Sequence, residues 1–265
     1  MGMDAPCTAN AARSDRGVDL ADVRRLEAVS FRSWPATTTQ FDGTWAMRLC
    51  AGHPAKRLNS VNPLDPADMY SIEARTLRVQ RKFEAFGRPL VFRHSPLAPA
   101  ALDKLFDGQG WRRFDETRVM RLNLQAGARI DGVMQLPLKD TRRWIEQSIA
   151  MGGFGATERA GMAELIGLSQ GKVGLFLLEE DDGTPLAACM AVKFGEFLGL
   201  FEVVSNPAHR GQGYGRRIVE SALLWGFKQG ARTAWLQVVA DNQAACGLYQ
   251  SLGFEDVYRY HYRGA

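Results

Sequence analysis

Asn59 to Pro63 reads NSVNP, and Val203 to Pro207 reads VVSNP; each closes a strand-like run and precedes a helical pattern, with Asn62 and Asn206 lying 144 positions apart. A second pair, LFDGQGW at 105–111 and LYQSLGF at 248–254, sets Gly110 and Gly253 143 positions apart. An offset held to one residue over about 50 positions favours two copies of one supersecondary plan. Such a chain must pass twice through the same order of strands and helices. Its 265 residues suffice for that, because domains typically hold roughly 100 to 200 residues.

The local patterns support the repeat. Leu20, Val23, Leu26, Val29 and Phe31 recur near helical spacing behind Asp19, which predicts an N-capped amphipathic helix. FDGTWAMRLCAG and KRLNSVN read as strands separated by a Gly/His/Pro turn, and ADMYSIEARTLRVQRKFEAFG reads as a helix closed by Gly87. PLVFRHS is a short strand, APAALDKLFDGQG a helix and WRRFDETRVMRLNL a long strand. Residues 17–124 thus make a first unit behind a flexible tail at 1–16, which is small, polar and without periodicity. Residues 125–140 are turn-rich and read as a linker. In the second unit, 141–265, the helices TRRWIEQSIAMGGF and ERAGMAELIGLSQ precede the strands VGLFLLEEDDG, PLAACMAVKFG and FLGLFEVVSNP. A glycine stretch then opens the helix RRIVESALLWGFKQG, followed by strand TAWLQVVA, helix NQAACGLYQSLG and strand FEDVYRYHYR. The fold class is α/β.

Charge and composition exclude several functions. The formal net charge is only +4 and the Lys and Arg residues are spread out, which suits a solvated basic surface or an anionic small ligand and gives no expectation of a nucleic-acid partner. Cys7, Cys50, Cys189 and Cys246 form no Cys-x-x-Cys pair, and His53, His94, His209 and His261 show no metal-ligand spacing, so free thiols and no metal are expected. No apolar run approaches the roughly 20 residues that span a bilayer, and the first residues lack the apolar core of a signal peptide. A soluble cytoplasmic protein with no membrane partner is the expectation.

The stretch NPAHRGQGYGRRIV, Asn206 to Val219, places three glycines between a strand and a helix. A P-loop needs Gly-x-x-x-x-Gly-Lys-Ser/Thr, and no Lys follows these glycines; a Rossmann loop needs Gly-x-Gly-x-x-Gly, and the sixth position is Arg216 or Ile218. Both nucleotide loops fail on the residues themselves. Two readings remain: a cradle in which helix N-terminal amides converge on a pyrophosphate, or a tight strand-to-helix turn with glycines for close packing.

RGQGYG, Arg210 to Gly215, resembles the Arg/Gln-x-x-Gly-x-Gly/Ala motif of the GNAT superfamily of N-acetyltransferases, and a later segment resembles that family's second block, with Asn242, Ala245, Tyr249, Gly253 and Phe254 at the matching positions. The resemblance covers roughly Thr141 to the C-terminus; the first half matches in element order and in the repeat. It implies tandem GNAT-like domains, each with a mixed, mostly antiparallel sheet flanked by helices and a splayed parallel strand pair. It further implies acetyl-CoA lying between those strands, with backbone groups around Val203, Val204 and Ser205 bonding the pantetheine. The pyrophosphate would lie on amides of Gln212, Gly213, Gly215 and Arg216, in a cofactor-binding loop that includes Gly211 and Tyr214, with Arg210 and Arg216 adding charge. Asn242 would bond the cofactor, cap its helix, or both.

In the same terms, Tyr249 is the acid that protonates the departing thiolate, or a buried tyrosine that packs under the sheet. Glu202, a carboxylate in a mostly apolar strand, is the candidate base or orienter for the acceptor's ammonium, or a salt-bridged glutamate; Glu196 is a weaker rival. The implied function is acetyl transfer from acetyl-CoA to a primary amine, on a small molecule or peptide, by direct attack in a ternary complex. An acyl-Cys246 route lacks a nearby His in sequence. A non-catalytic acyl-CoA sensor is the alternative class, and longer-acyl or aminoacyl transfer a third. A homodimer is compatible with all of them. In the first half DPADMY stands where RGQGYG would, and Phe106 stands opposite Tyr249. That half is expected not to bind CoA but to wall off the acceptor site, with Trp34, Trp45, Arg48, Arg57 and Asn59 as candidate contributors.

Overall fold

The computed structural model describes residues 17–124, 135–152 and 155–265; the expected tail, and residues 125–134 of the expected linker, lie outside the described residues. The first half runs α1 (Leu20–Ser33), β1 (Thr38–Asp42), β2 (Trp45–Leu49), β3 (Ser60–Pro63), α2 (Ile72–Phe86), β4 (Val91–His94), α3 (Ala100–Gly108) and β5 (Arg112–Asn123). The second runs α4 (Thr141–Gly152), α5 (Ala156–Leu168), β6 (Lys172–Glu179), β7 (Pro185–Phe194), β8 (Phe197–Ser205), α6 (Tyr214–Lys228), β9 (Thr233–Val239), α7 (Gln243–Ser251) and β10 (Glu255–Gly264).

All ten strands join one sheet in the order β1-β2-β3-β4-β10-β5-β9-β8-β7-β6. The pairs β3–β4 and β8–β9 are parallel, and every other neighbour pair is antiparallel. Exchanging each strand for the one five places on returns the same order read from the other edge. The repeat is therefore a property of the topology, with an equivalent set of five strands in each half. The halves also trade their last strands: β10 lies between β4 and β5, and β5 lies between β10 and β9.

The core follows from strand alternation. On β7, Ala188, Met190 and Val192 face a cluster containing Val23 and Leu26 of α1 and Trp144 and Ile145 of α4. Ala187, Cys189 and Ala191 face the opposite cluster, with Ile218, Ala222 and Leu223 of α6. A run of small and apolar residues is what a strand covered on both faces requires. The first cluster spans both halves, since it also takes Val119 of β5 and Tyr258, Tyr260 and Tyr262 of β10. A separate core under α2 and α3 holds Trp45, Val79, Phe83, Phe92 and Phe106.

Local signals account for the helices. Asp19 accepts from the Ala21 amide at 2.8 Å and caps α1 as expected, and Gly87 ends α2 with φ +72. Three local readings are corrected. FDG is not the start of one strand but a hairpin: Asp42 pairs with Trp45 around Gly43, whose φ is +59, and Asp-Gly is a strong tight-turn signal. Lys56–Leu58 is a 3-10 turn rather than strand. Helix α2 begins at Ile72, because Asp68 bonds Thr44 and Arg75 and holds the preceding corner out of the helix.

Candidate active site

Strands β8 and β9 pair only from Phe197 and Thr233 to Leu200 and Leu236. The reason they part is on β8. Met190 pairs with Phe201 and Ala188 with Val204, so Cys189 faces two residues, and Glu202 sits in this bulge with φ +48. A bulge bends and twists its strand, and a left-handed backbone at a non-glycine residue costs about 1–3 kcal/mol. Past it β8 follows β7 to Ser205 while β9 follows β5 to Val239. A cavity of about 680 Å³ opens beside the parted end of β8, between the glycine stretch that starts α6 and helix α7.

The glycine stretch forms one wall. Gly213 is the N-cap of α6 at φ +83 and supplies no side-chain acceptor. A Cβ there would meet nothing within 4 Å, so glycine serves the backbone conformation, whereas a Cβ on Gly215 would come within 3.0 Å of Ser205 Oγ. The first amides of a helix have no intrahelical acceptor and carry partial positive charge. With Arg210 on the same wall, these amides suit an anionic group such as a pyrophosphate. The side chain of Arg216 is engaged, donating to Glu220 at 2.9 Å and Ser251 at 2.7 Å.

Helix α7 forms the facing wall. Asn242 caps it, its Oδ1 accepting from the Ala245 amide at 3.1 Å, and it also lines the cavity. Tyr249 lies seven residues on, about two helical turns. It is 6 % exposed, packs edge-on against Phe254 at 5.8 Å and lines the cavity. Burial, reinforced by Cys189 and Cys246, raises its phenol pKa above the usual range. Cys246 does not line the cavity; its Sγ is buried against the carbonyls of Val239 and Ala240 at 3.8 and 3.9 Å. A thiol so placed is poorly set to attack an acyl group.

A smaller cavity of about 250 Å³ shares Val203, Val204 and Arg210 with the first and adds Glu202 together with Ile149, Met151 and Met162 from α4 and α5. The structure thus gathers Val203, Val204, Ser205, Arg210, Gly211, Gly213, Tyr214, Gly215, Arg216, Asn242 and Tyr249 around the larger space, and puts Glu202 beside the smaller one. Gln212 is exposed and lines neither. Glu196 is in the turn at the far end of β8, about 20 Å of strand from Glu202.

The Glu202 carboxylate is ion-paired with Arg57 from the 3-10 turn of the first half. Arg57 also lies over the Trp34 ring at 5.4 Å, and Trp34 stacks on Phe201 at 5.5 Å. Of the five residues expected to wall the acceptor side, Arg57 and Trp34 thus sit beside the bulge. Arg48 is buried behind them, donating to the carbonyls of Arg57 and Trp34, and burial and the Arg93 charge lower its pKa to about 9. Asn59 braces a loop through Cys50, His53 and Ala55. Trp45 is core, edge-on to Phe92 at 5.3 Å. In the first half β3 and β4 share one pair, Val61 with Phe92, and Phe106, at the position corresponding to Tyr249, is fully buried against Trp111 and Phe92.

Comparison with known proteins gives three kinds of match. Residues 20–263 match the family described as probable histone acetyltransferase Rv0428c C-terminal. Over 249 residues the chain is 26% identical to the uncharacterized N-acetyltransferase YobR of Bacillus subtilis, covering 92% of this chain and 99% of that one. Among solved structures, a GCN5-related N-acetyltransferase from Kribbella flavida superposes with a TM-score of 0.67 at 17% identity, over 91% of this chain and 94% of that one. A tandem GNAT protein from the clavulanic acid biosynthesis pathway superposes at 0.63 and 16%, over 94% and 89%. No helix of the described residues is long and apolar enough to cross a membrane.

Proposed function

The chain belongs to the probable histone acetyltransferase Rv0428c C-terminal family, within the GNAT superfamily of N-acetyltransferases, and from that premise we propose that it acetylates a primary amine with acetyl-CoA by direct attack in a ternary complex. The observation that carries the proposal is the cavity beside the end of β8 that parts from β9, with an uncapped glycine helix start at one wall and a protonated tyrosine at the other. Acetyl-CoA supplies a thioester open to attack by an amine nitrogen.

The rest falls to residues of this chain. The amides of the first turn of α6, with Arg210, hold the pyrophosphate, and the edge of β8 at Val203 to Ser205 aligns the pantetheine as an added strand would. The amine enters through the smaller cavity, where Ile149, Met151 and Met162 take its apolar body and Glu202 its ammonium. Glu202 orients the amine and receives its proton directly or through water. Tyr249 Oη gives a proton to the leaving sulfur. In this arrangement residues 141–265 are the catalytic unit. Residues 17–124 are a unit without the glycine stretch, and they set Arg57 and Trp34 beside the bulge next to the acceptor side.

The test joins two measurements. Free-thiol release from acetyl-CoA across a panel of small amines and peptide N-termini is expected to rise for a subset of them. Calorimetry of Gly213→Val, which forces a branched residue to φ +83, is expected to show at least tenfold weaker acetyl-CoA binding. Unchanged affinity in a folded variant removes the cradle; tight cofactor binding with no thiol release for any amine removes the transfer and leaves a sensor.

A further inference from the structure

We propose that His94, Asp103 and His261 form a binding site for one divalent transition-metal ion of the zinc class, which fastens the C-terminal strand to the first half of the sheet. His94 on β4 and His261 on β10 are direct register partners, so their side chains leave the same face, with ring centroids 5.0 Å apart. Asp103, in the first turn of α3, reaches both: His94 Nε2 is 3.6 Å from Oδ2 and His261 Nε2 is 3.6 Å from Oδ1. Those separations exceed an N–H···O bond of about 2.7–3.2 Å. Both Nε2 atoms and Asp103 Oδ1 are buried without a hydrogen-bond partner, and the two histidines are only 9% and 7% exposed.

Three buried, ligand-capable atoms that lie close together, none with a hydrogen-bond partner, call for an explanation. An ion about 2.0–2.2 Å from each ligand atom satisfies all three at once; the ligand atoms already lie within 4.8 Å of one another. Two imidazoles and a carboxylate are a donor set for borderline divalent ions. Asp103 keeps a side-chain exposure of 36%, giving the ion a path from solvent and a place for water.

Two cations oppose the site, Arg263 and Arg113. Arg263 Nε is 3.7 Å from Asp103 Oδ1, but its Nη2 is bonded to Asp107, which offsets much of that charge. Micromolar rather than nanomolar affinity is the consequence. The repeat shows that the fold does not require these side chains. The 144-residue offset carries His94 to Val238, which pairs with Arg118, and the 143-residue offset carries Asp103 to Cys246. The absence of ligand spacing in the sequence is explained too, because the three ligands come from β4, α3 and β10. An ion there closes a long loop, so metal binding is linked to folding.

The test uses tag-free full-length protein stripped with EDTA and dialysed. Titration with Zn²⁺ by calorimetry, and with Co²⁺ by visible absorption, is expected to give one equivalent per chain with micromolar affinity. At Zn²⁺ concentrations about 100 times Kd the folding equilibrium shifts about 100-fold toward the native state, read as a raised Tm. His261→Gln and Asp103→Asn should each weaken binding at least tenfold; Asp103→Asn, at a partly exposed position, keeps the test valid should the histidine variant fail to fold. No stoichiometric binding to the wild type overturns the proposal. Binding that Asp103→Asn leaves unchanged also overturns it, since the ion then sits elsewhere.

Discussion

At Tyr249 burial holds the phenol pKa above the usual range, so the side chain keeps its proton through neutral and mildly alkaline pH. In that state it can donate a proton and not accept one, as the proposed acid role requires. Tyr249→Phe keeps the ring that packs on Phe254 and removes only the hydroxyl. It is expected to lower kcat by about 10²- to 10⁴-fold, the usual contribution of a general acid, while leaving calorimetric acetyl-CoA affinity nearly unchanged. Wild-type turnover in the variant would falsify the acid role. Tyr249, Asn242 and the glycines were legible in the sequence because their relation is local: seven residues of helix fix one pair, and a strand-to-helix turn fixes the others. Arg57 was one name among five, because its partner Glu202 is 145 positions away and no periodicity connects a 3-10 turn to a bulge in another strand. Cys246 shows the converse, since its place between Asn242 and Tyr249 in sequence turns its sulfur toward backbone carbonyls and away from the cavity.

Between elements, the contact of the 3-10 turn with the β8 bulge is the one to perturb. Arg57 and Glu202 have side-chain exposures of 27% and 16%, between the surface pairs that contribute little and the buried pairs that are costly to break. Arg57→Met leaves a half-buried carboxylate alone and should destabilise the chain by about 1–3 kcal/mol. The double variant Arg57→Met/Glu202→Gln should recover part of that, and urea unfolding of the four proteins gives the coupling; simple additivity would mean the pair does not join the halves. A second contact tests pH dependence. Burial would raise the Asp68 pKa, but hydrogen bonds from Thr44 and the charge of Arg75 outweigh it and hold it below the usual carboxylate range. A carboxyl lowered on folding adds stability above its unfolded pKa of about 3.9, and that stability disappears as pH falls through the folded value. Asp68→Asn is therefore expected to melt lower than wild type at pH 7 and to show a shallower fall in Tm below about pH 4; parallel curves would remove Asp68 from the acid response. This corner was not legible beforehand, because ADMY continues a helical pattern while the side chain that interrupts it bonds across 24 residues to Thr44.

Across the whole molecule, the order of elements was legible from local periodicity and the internal offset, while a parallel strand pair in each half was expected only from the resemblance of the glycine stretch and the Asn242 segment to a known family. The exchange of last strands was not legible, since β5 and β10 carry no mark of which half each will pair with. Their alternation satisfies either sheet, and only closure of the complete chain selects the neighbours. The consequence is that residues 141–265, expressed alone, lack β5, which fills the space between β9 and β10 through pairings from Thr117–Val239 to Asn123–Thr233 on one side and Glu255–Arg121 to Gly264–Arg112 on the other. Strand β10 also loses β4, so both of its edges are bare, and bare edges favour aggregation. The half that holds the glycine stretch, Asn242, Tyr249 and Glu202 is thus expected to be insoluble or poorly dispersed in NMR spectra when produced alone. Co-expression with residues 17–124 should restore a soluble complex that binds acetyl-CoA. A folded, cofactor-binding 141–265 fragment would show that β10 can turn back to β9 without β5, and would make the first half an accessory to the acceptor site rather than part of the catalytic sheet.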